Sequence, residues 1–216
     1  MTTQIEDLFG GKVRELGKSA RTRARLMDAA VKLFARDGFE AVSVNEITKV
    51  ADVANGTFYT HFKDKDEIAA AVAFGIAERV ALRLAEAMVD VDDAIERVCL
   101  GTRQFIDLAC SNPDWGRALV RAVLVFRELH EGVSAFARAD IQRGVDQGVF
   151  SVAIDDVLVD SFSAMVMNAV IGRLRGDYPR EAGSQVAELQ LRMLGADPAR
   201  AAEAAWREIP VLSMAL

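Results

Sequence analysis

The chain has 216 residues, 51% hydrophobic and 27% charged, with a formal net charge of −6, enough for one large domain or a small domain fused to a mid-sized one. No uncharged stretch reaches the ~18 residues of a membrane-spanning helix, and the acidic opening lacks the basic-then-apolar pattern of a signal peptide, so the expectation is a soluble, cytoplasmic chain with no membrane partner. The charge is uneven: residues 10–36 carry eight basic side chains against two acidic, whereas residues from 66 onward carry 15 against 23, so one end can meet phosphate while the rest repels it.

Residues 1–18 hold Gly10, Gly11 and Gly17 without clean periodicity and are expected as a flexible basic arm. From Ala20, the apolar residues Leu26, Ala29, Ala30, Leu33 and Phe34 recur at helical spacing, and Gly38 stops that helix. Ser43-Val44-Asn45-Glu46 fits a capping box and opens a short helix with Val44, Ile47 and Ala51 on one face. A break at Ala51-Asp52-Val53 leads into the stretch from Asn55 to Phe62. Lys63-Asp64-Lys65-Asp66 then starts a long helix to about Met88.

Val91, Ala94, Ile95, Val98, Thr102, Phe105, Ile106 and Ala109 give another amphipathic helix. Asn112-Pro113 marks a boundary, since asparagine caps and proline suits the first helical position; one or two helices follow, ending at Gly148. Asp155 or Asp156 caps a helix with Leu158, Phe162, Met165, Val166, Ala169 and Val170 on its apolar side, interrupted by Gly176 and Pro179. Another helix runs to Gly195, and Asp197-Pro198 opens a last one through Trp206. The sole strand candidate, Val149 to Val152, is short and isolated, so the expected fold class is all-α with eight to ten helices.

Residues 19–65 thus hold three short helices with a tight turn between the second and third, the pattern of a helix-turn-helix DNA-binding domain. Ile47, Ala51 and Val53 can form the apolar plug that locks the two helices together. Asn55, Thr57, Tyr59, Thr60 and His61 offer donors, acceptors and a phenol ring to base edges and phosphates, and Gly56 lets the backbone approach closely. Phe39, Phe58 and Phe62 read as core and Tyr59 as exposed; His61 reads as a phosphate contact or an ordinary surface histidine.

In residue type, spacing and position, Gly38-Phe39, Ser43 to Ile47 and Asn55 to Lys65 resemble the DNA-binding domain of the TetR family over about 45 residues. The remainder is similar to the family only in length and helical character. The resemblance implies a ligand-responsive transcriptional regulator, by default a repressor. It implies a helical regulatory domain over 66–216 that binds ligand and dimerises, sealed by roughly 155–175 and 179–195 of each subunit. It also implies that the homodimer binds a palindromic double-stranded DNA operator. Residue by residue, it implies Arg21 and Arg23 as arm contacts, Ser43 as a cap and phosphate contact, and Asn45 at the groove. It gives Asn55, Gly56, Thr57 and Thr60 to the bases, Tyr59 and His61 to the backbone or a thymine methyl, and Lys65 to a phosphate.

Three positions depart from the family pattern. Asp52 stands where the family often has glycine, in a turn that aspartate tolerates. Ala54 stands where serine or threonine often caps the third helix; Asp52 or Asn55 caps instead, or the helix frays until DNA binds. Asn55 replaces a commonly basic residue and favours an adenine partner. Asp52 and Ala54 are what favour the alternative: a small-molecule-binding or adaptor protein of the same fold without specific DNA binding.

Farther along, Phe105, Trp115, Leu119, Phe126, Phe162 and Met165 either line a cavity for a small apolar or amphipathic effector or form plain core. Asn168 either bonds a ligand or pairs across a dimer seam, because an unsatisfied buried amide is costly. Cys99 and Cys110 are separated by roughly 16 Å along a helix, too far for an intrachain disulfide, and read either as buried reduced thiols or as thiols with a redox-sensing or intersubunit role. Together with His61 and His130 they show no zinc spacing, so no metal and no cofactor are expected. With no phosphate loop and no nucleophile–base spacing, no enzyme is expected. The pairs Asp92-Asp93 and Asp155-Asp156 read as helix N-terminal charge.

Overall fold

Helical spacing of apolar residues sets the first element. In a computed structural model that describes residues 17–111, 113, 116–117, 119–120, 123 and 127–209, α1 (Lys18–Asp37) buries Leu26, Met27, Ala30, Leu33 and Phe34 and stops at Gly38, whose φ of 78° suits a residue without a Cβ. The arm expected over 1–18 lies outside the described residues except for Gly17 and Lys18, as does Asn112 of the expected boundary at Pro113. The capping box opens α2 (Val44–Val50), with the side chains of Ser43 and Glu46 each bonding the other's backbone N–H. A single turn, α3 (Asn55–Phe58), follows. Asp64 then opens α4 (Lys65–Ala87), its Oδ1 accepting from the Glu67 N–H at 2.8 Å.

The chain divides into two compact units, the first ending at Ile76 and the second beginning at Ala77, both within α4. In the first unit, Leu26, Ile47, Phe58, Phe62 and Ile68 are fully buried. The second unit holds α5 (Ala94–Ser111), α6 (Arg127–Asp146), α7 (Asp156–Arg175), α8 (Ala182–Met193) and α9 (Pro198–Trp206). Residues 113, 116–117, 119–120 and 123 are helical as well. The fold is all-α, with no strand among the described residues.

Aspartates set the starts of three of these helices. Asp93 Oδ1 accepts from the N–H groups of Ile95 and Glu96, Asp155 from Leu158, and Asp197 from Ala199 and Arg200, with Pro198 at the first position of α9. α5 is the hub: it packs against α6, α7, α8 and α9. Val98, Ile141, Phe150, Phe162, Leu191, Leu194 and Ala205 belong to the resulting core cluster. α7 is long and apolar enough, by length and composition alone, to cross a membrane, but 44% of that stretch is buried and it packs against α5, α6 and α8, which is how a core helix passes the same test. Cys99 and Cys110 are free thiols; burial pushes Cys99 up to about 12 and raises Cys110.

The strand candidate at Val149 to Val152 is instead a connector. The N–H groups of Val149 and Phe150 both donate to the Gly144 carbonyl, and the Phe150 ring folds back against Gly144. A Cβ on Gly144 would stand 2.0 Å from Phe150 Cδ2, and Phe150 is itself buried in the core cluster. Gly144→Ala therefore overpacks the end of α6, and thermal or urea unfolding should show a loss of about 1–3 kcal/mol.

Candidate nucleic-acid interface

The first unit is organised around aromatic rings. The Phe58 ring lies 5.8 Å from Phe62 and 5.3 Å, edge-on, from Tyr59. Phe34 lies 5.4 Å from Phe39. Because Phe58 and Phe62 point inward, the intervening side chains point elsewhere: Tyr59 is 59% exposed, and Asn55, Gly56 and Thr60 are exposed around it. Thr57 and His61 are half-buried at the edge. The Thr60 hydroxyl donates to the Thr57 carbonyl at 2.7 Å. α2 packs against both α1 and α3, and Ser43 and Asn45 are exposed at its start.

Gly56 is informative by what surrounds it. A Cβ there would meet nothing within 4 Å, and its backbone does not need positive φ. Glycine inside a helix costs roughly 0.5–1 kcal/mol relative to alanine. Neither packing nor backbone geometry in this chain asks for that glycine.

The basic residues divide by what they touch. Arg21 is exposed at the start of α1. The Arg23 guanidinium sits 4.8 Å above the Phe62 ring, with Nη1 3.2 Å from Met27 Sδ. Lys65 donates to the Phe39 carbonyl at 2.9 Å and stands 4.4 Å over the Phe39 ring, so its ammonium is already tied to the α1–α2 connection. Arg25, which sequence reasoning counted only as part of a basic run, donates to the Ala51 carbonyl at 2.6 Å. No local pattern signals that contact, which spans 26 positions.

The turn between α2 and α3 is left-handed at Asp52, with φ of 51°. Asp52 is the sole non-glycine residue with positive φ among the described residues. The α3 N-cap is Ala54, with no side-chain cap hydrogen bond, so neither Asp52 nor Asn55 takes over the capping role.

In the second unit Phe105, Leu119 and Phe162 are buried and Met165 is half-buried. Asn168 is exposed and donates to the Tyr178 hydroxyl at 3.3 Å. Trp115 and Phe126 lie outside the described residues. Buried polar groups link the helices: Thr102 donates to Gln190 Oε1 at 2.6 Å, and Gln190 Nε2 to the Phe162 carbonyl at 2.9 Å. Among the described residues no cluster of histidine, cysteine, aspartate or glutamate is arranged to hold a metal.

Residues 26–72 match the family model described as bacterial regulatory proteins of the tetR family, and residues 92–207 match one described as a tetracyclin repressor-like C-terminal domain. The chain belongs to the TetR family. It is a helix-turn-helix transcriptional regulator by kinship. This TetR-family chain is 39% identical over 51 residues to the HTH-type transcriptional regulator AcrR of Shigella flexneri, a match spanning 24% of each protein. Its fold is similar to that of RolR in complex with resorcinol (27% identity, TM-score 0.75, 91% of this chain and 98% of that one). It is also similar in fold to FadR from Bacillus subtilis in complex with stearoyl-CoA (18% identity, TM-score 0.66, 77% and 96%).

The capping box supplies a titration test of the local geometry. Hydrogen bonds from the Ser43 hydroxyl, at 2.7 Å, and the Ser43 N–H, at 2.8 Å, hold the Glu46 carboxyl below the usual carboxylate range. The folded value lies under the unfolded one, so this interaction stabilises α2 at neutral pH and is lost as pH falls through the depressed value. NMR titration of Ser43→Ala should show Glu46 moving back up toward the ordinary carboxylate range. At pH 7 the same variant should lose about 1 kcal/mol of stability.

Proposed function

We propose that this TetR-family chain is a ligand-responsive repressor that binds a palindromic operator as a homodimer in the cytoplasm. The observation that carries the reading is the outward face of α3 and the turn after it. Asn55, Gly56, Tyr59 and Thr60 are exposed over buried Phe58 and Phe62, and Gly56 has no internal reason to be glycine. A groove wall brought against this surface gives Gly56 its reason, because the backbone then approaches bases or phosphates directly. Asn55, Thr57 and Thr60 read base edges, Tyr59 and His61 take backbone or a thymine methyl, and Asn45 lies at the groove. Ser43, Arg21 and Arg23 contact phosphate; Lys65 adds a phosphate contact through whichever ammonium proton its carbonyl partners leave free.

The dimer reading is supported by apolar side chains on the outer faces of α7 and α8. Val157 is 75% exposed and Leu189 is 55% exposed, on helices that pack together. A two-fold dimer of this kind presents its reading helices to successive major grooves about 34–36 Å apart, which makes the operator a palindrome. RolR is described with resorcinol and FadR with stearoyl-CoA, and that range of ligands supports the second unit as the effector-binding body. Phe105, Trp115, Leu119, Phe126, Phe162, Met165 and Asn168 are the proposed contacts for a small apolar or amphipathic effector. Such a molecule changes operator affinity only by binding the two functional states unequally.

The test uses a duplex selected by the wild-type protein from a random-sequence pool. Gly56→Ala should hold or raise stability by about 0.5–1 kcal/mol, since alanine is the better helix former, while operator affinity falls about tenfold or more. Tyr59→Ala should leave the fold intact and weaken binding by a similar factor. Retained affinity in both variants, or failure of the wild type to select any duplex, refutes the DNA-reading assignment.

A further inference from the structure

We propose that Arg25 is a positioning residue for the reading helix: its guanidinium clamps the left-handed turn at Asp52 and so holds α3 ready for DNA. The inference rests on the DNA-reading assignment above for its effect on binding, and on the turn itself for its structural part.

The turn is closed by backbone bonds from the Asp52 N–H to Lys49 and the Val53 N–H to Thr48, and it carries strain at Asp52 that those bonds must offset. An L-residue in the left-handed region is strained relative to its ordinary conformations, a cost glycine does not carry. Asp52 occupies that region with φ of 51°. On the far side of the turn, Ala54 caps α3 without a side-chain hydrogen bond, and α3 is a single turn that cannot sustain itself. Across this weak connection the direction of Asn55, Gly56 and Tyr59 must still be fixed.

Arg25 reaches the turn from α1. Its Nη2 lies 2.6 Å from the Ala51 carbonyl, 3.2 Å from the Asp52 carbonyl and 3.4 Å from Asp52 Oδ2. The carbonyls of Ile47, Thr48 and Lys49 are served by the chain itself: Ala51 N–H donates to Ile47, Val53 N–H to Thr48 and Asp52 N–H to Lys49. The Ala51 carbonyl is left for the cation, at the helix end where positive charge is favoured. Because one nitrogen spans the carbonyls before and within the turn together with the Asp52 carboxylate, Arg25 favours the left-handed arrangement over its competitors. Only the fraction of molecules holding that arrangement binds DNA at full strength.

A phosphate-binding arginine and a turn-holding arginine make different predictions. Operator affinity for the selected duplex is measured over a salt series for wild type, Arg25→Ala, Asp52→Gly and the double variant, together with amide hydrogen exchange of Asp52 and Val53 in the DNA-free protein. The clamp predicts that Arg25→Ala speeds exchange at those two amides and weakens binding about tenfold, with the slope of log affinity against log salt unchanged. It also predicts that Asp52→Gly, which occupies the left-handed region without strain, makes affinity and exchange nearly indifferent to Arg25. A salt slope that shrinks by about 0.9 in magnitude, with no rescue by Asp52→Gly and no change in exchange, overturns the proposal and makes Arg25 a phosphate ligand. Unchanged exchange and unchanged affinity overturn it as well. If the wild type binds no duplex, the DNA-reading assignment fails, while the exchange arm still decides whether Arg25 holds the turn.

Discussion

Phe58 and Phe62 stand one helical turn apart, at 0% and 1% exposure, with their rings 5.8 Å from each other. Burying two such side chains is worth about 2–3 kcal/mol each, whereas a one-turn helix in isolation is unfavourable. α3 therefore exists because its underside is anchored, and the anchor decides which of its side chains face outward. Tyr59, adjacent to Phe58, is forced outward, and Asn55 and Gly56 share that outward aspect. The rest of the first unit serves this arrangement. α1 and α2 supply the buried Leu26 and Ile47, the capping box fixes where α2 begins, and the cations of Arg23 and Lys65 lie over the Phe62 and Phe39 rings.

The second unit is built on different terms. α5 touches four other helices, and its packing combines a large aliphatic cluster with specific polar links. Arg97, mostly buried, pairs with Asp140 at 2.6 Å and donates to the Met88 and Val91 carbonyls, joining α6 to the connection between α4 and α5. Arg173 pairs with Asp107, joining α7 to α5. Truncating one partner of such half-buried pairs costs more than breaking a surface pair, because the remaining charge is left poorly solvated. These links make the helix arrangement specific.

What could be read from the sequence was local. Helix ends written in a few consecutive residues, such as Ser43 with Glu46, Asp155, Asp197 with Pro198, and Gly38, lie where spacing placed them. The alternation of buried Phe58 and exposed Tyr59 was legible because three to four residues bring a helix back to the same face. What escaped was long-range. Arg25 and Lys65 find partners 26 positions away, and nothing in a run of basic residues distinguishes a cation that meets carbonyls from one that meets solvent. Asn168 lies on the exposed face of α7, where its amide donates to the Tyr178 hydroxyl ten positions away. Val149 to Val152 has strand-forming residues but no partner strand among the described residues, and Phe150 instead seals the end of α6.

The DNA-reading proposal stands or falls on whether the outer face of α3 meets the duplex. Backbone amide NMR of the full chain, with and without the selected duplex, tests it without altering a residue. Shifts on binding should concentrate at residues 55–60 and at Ser43 to Asn45. Amides of 55–60 that stay unmoved while DNA is demonstrably bound would contradict it.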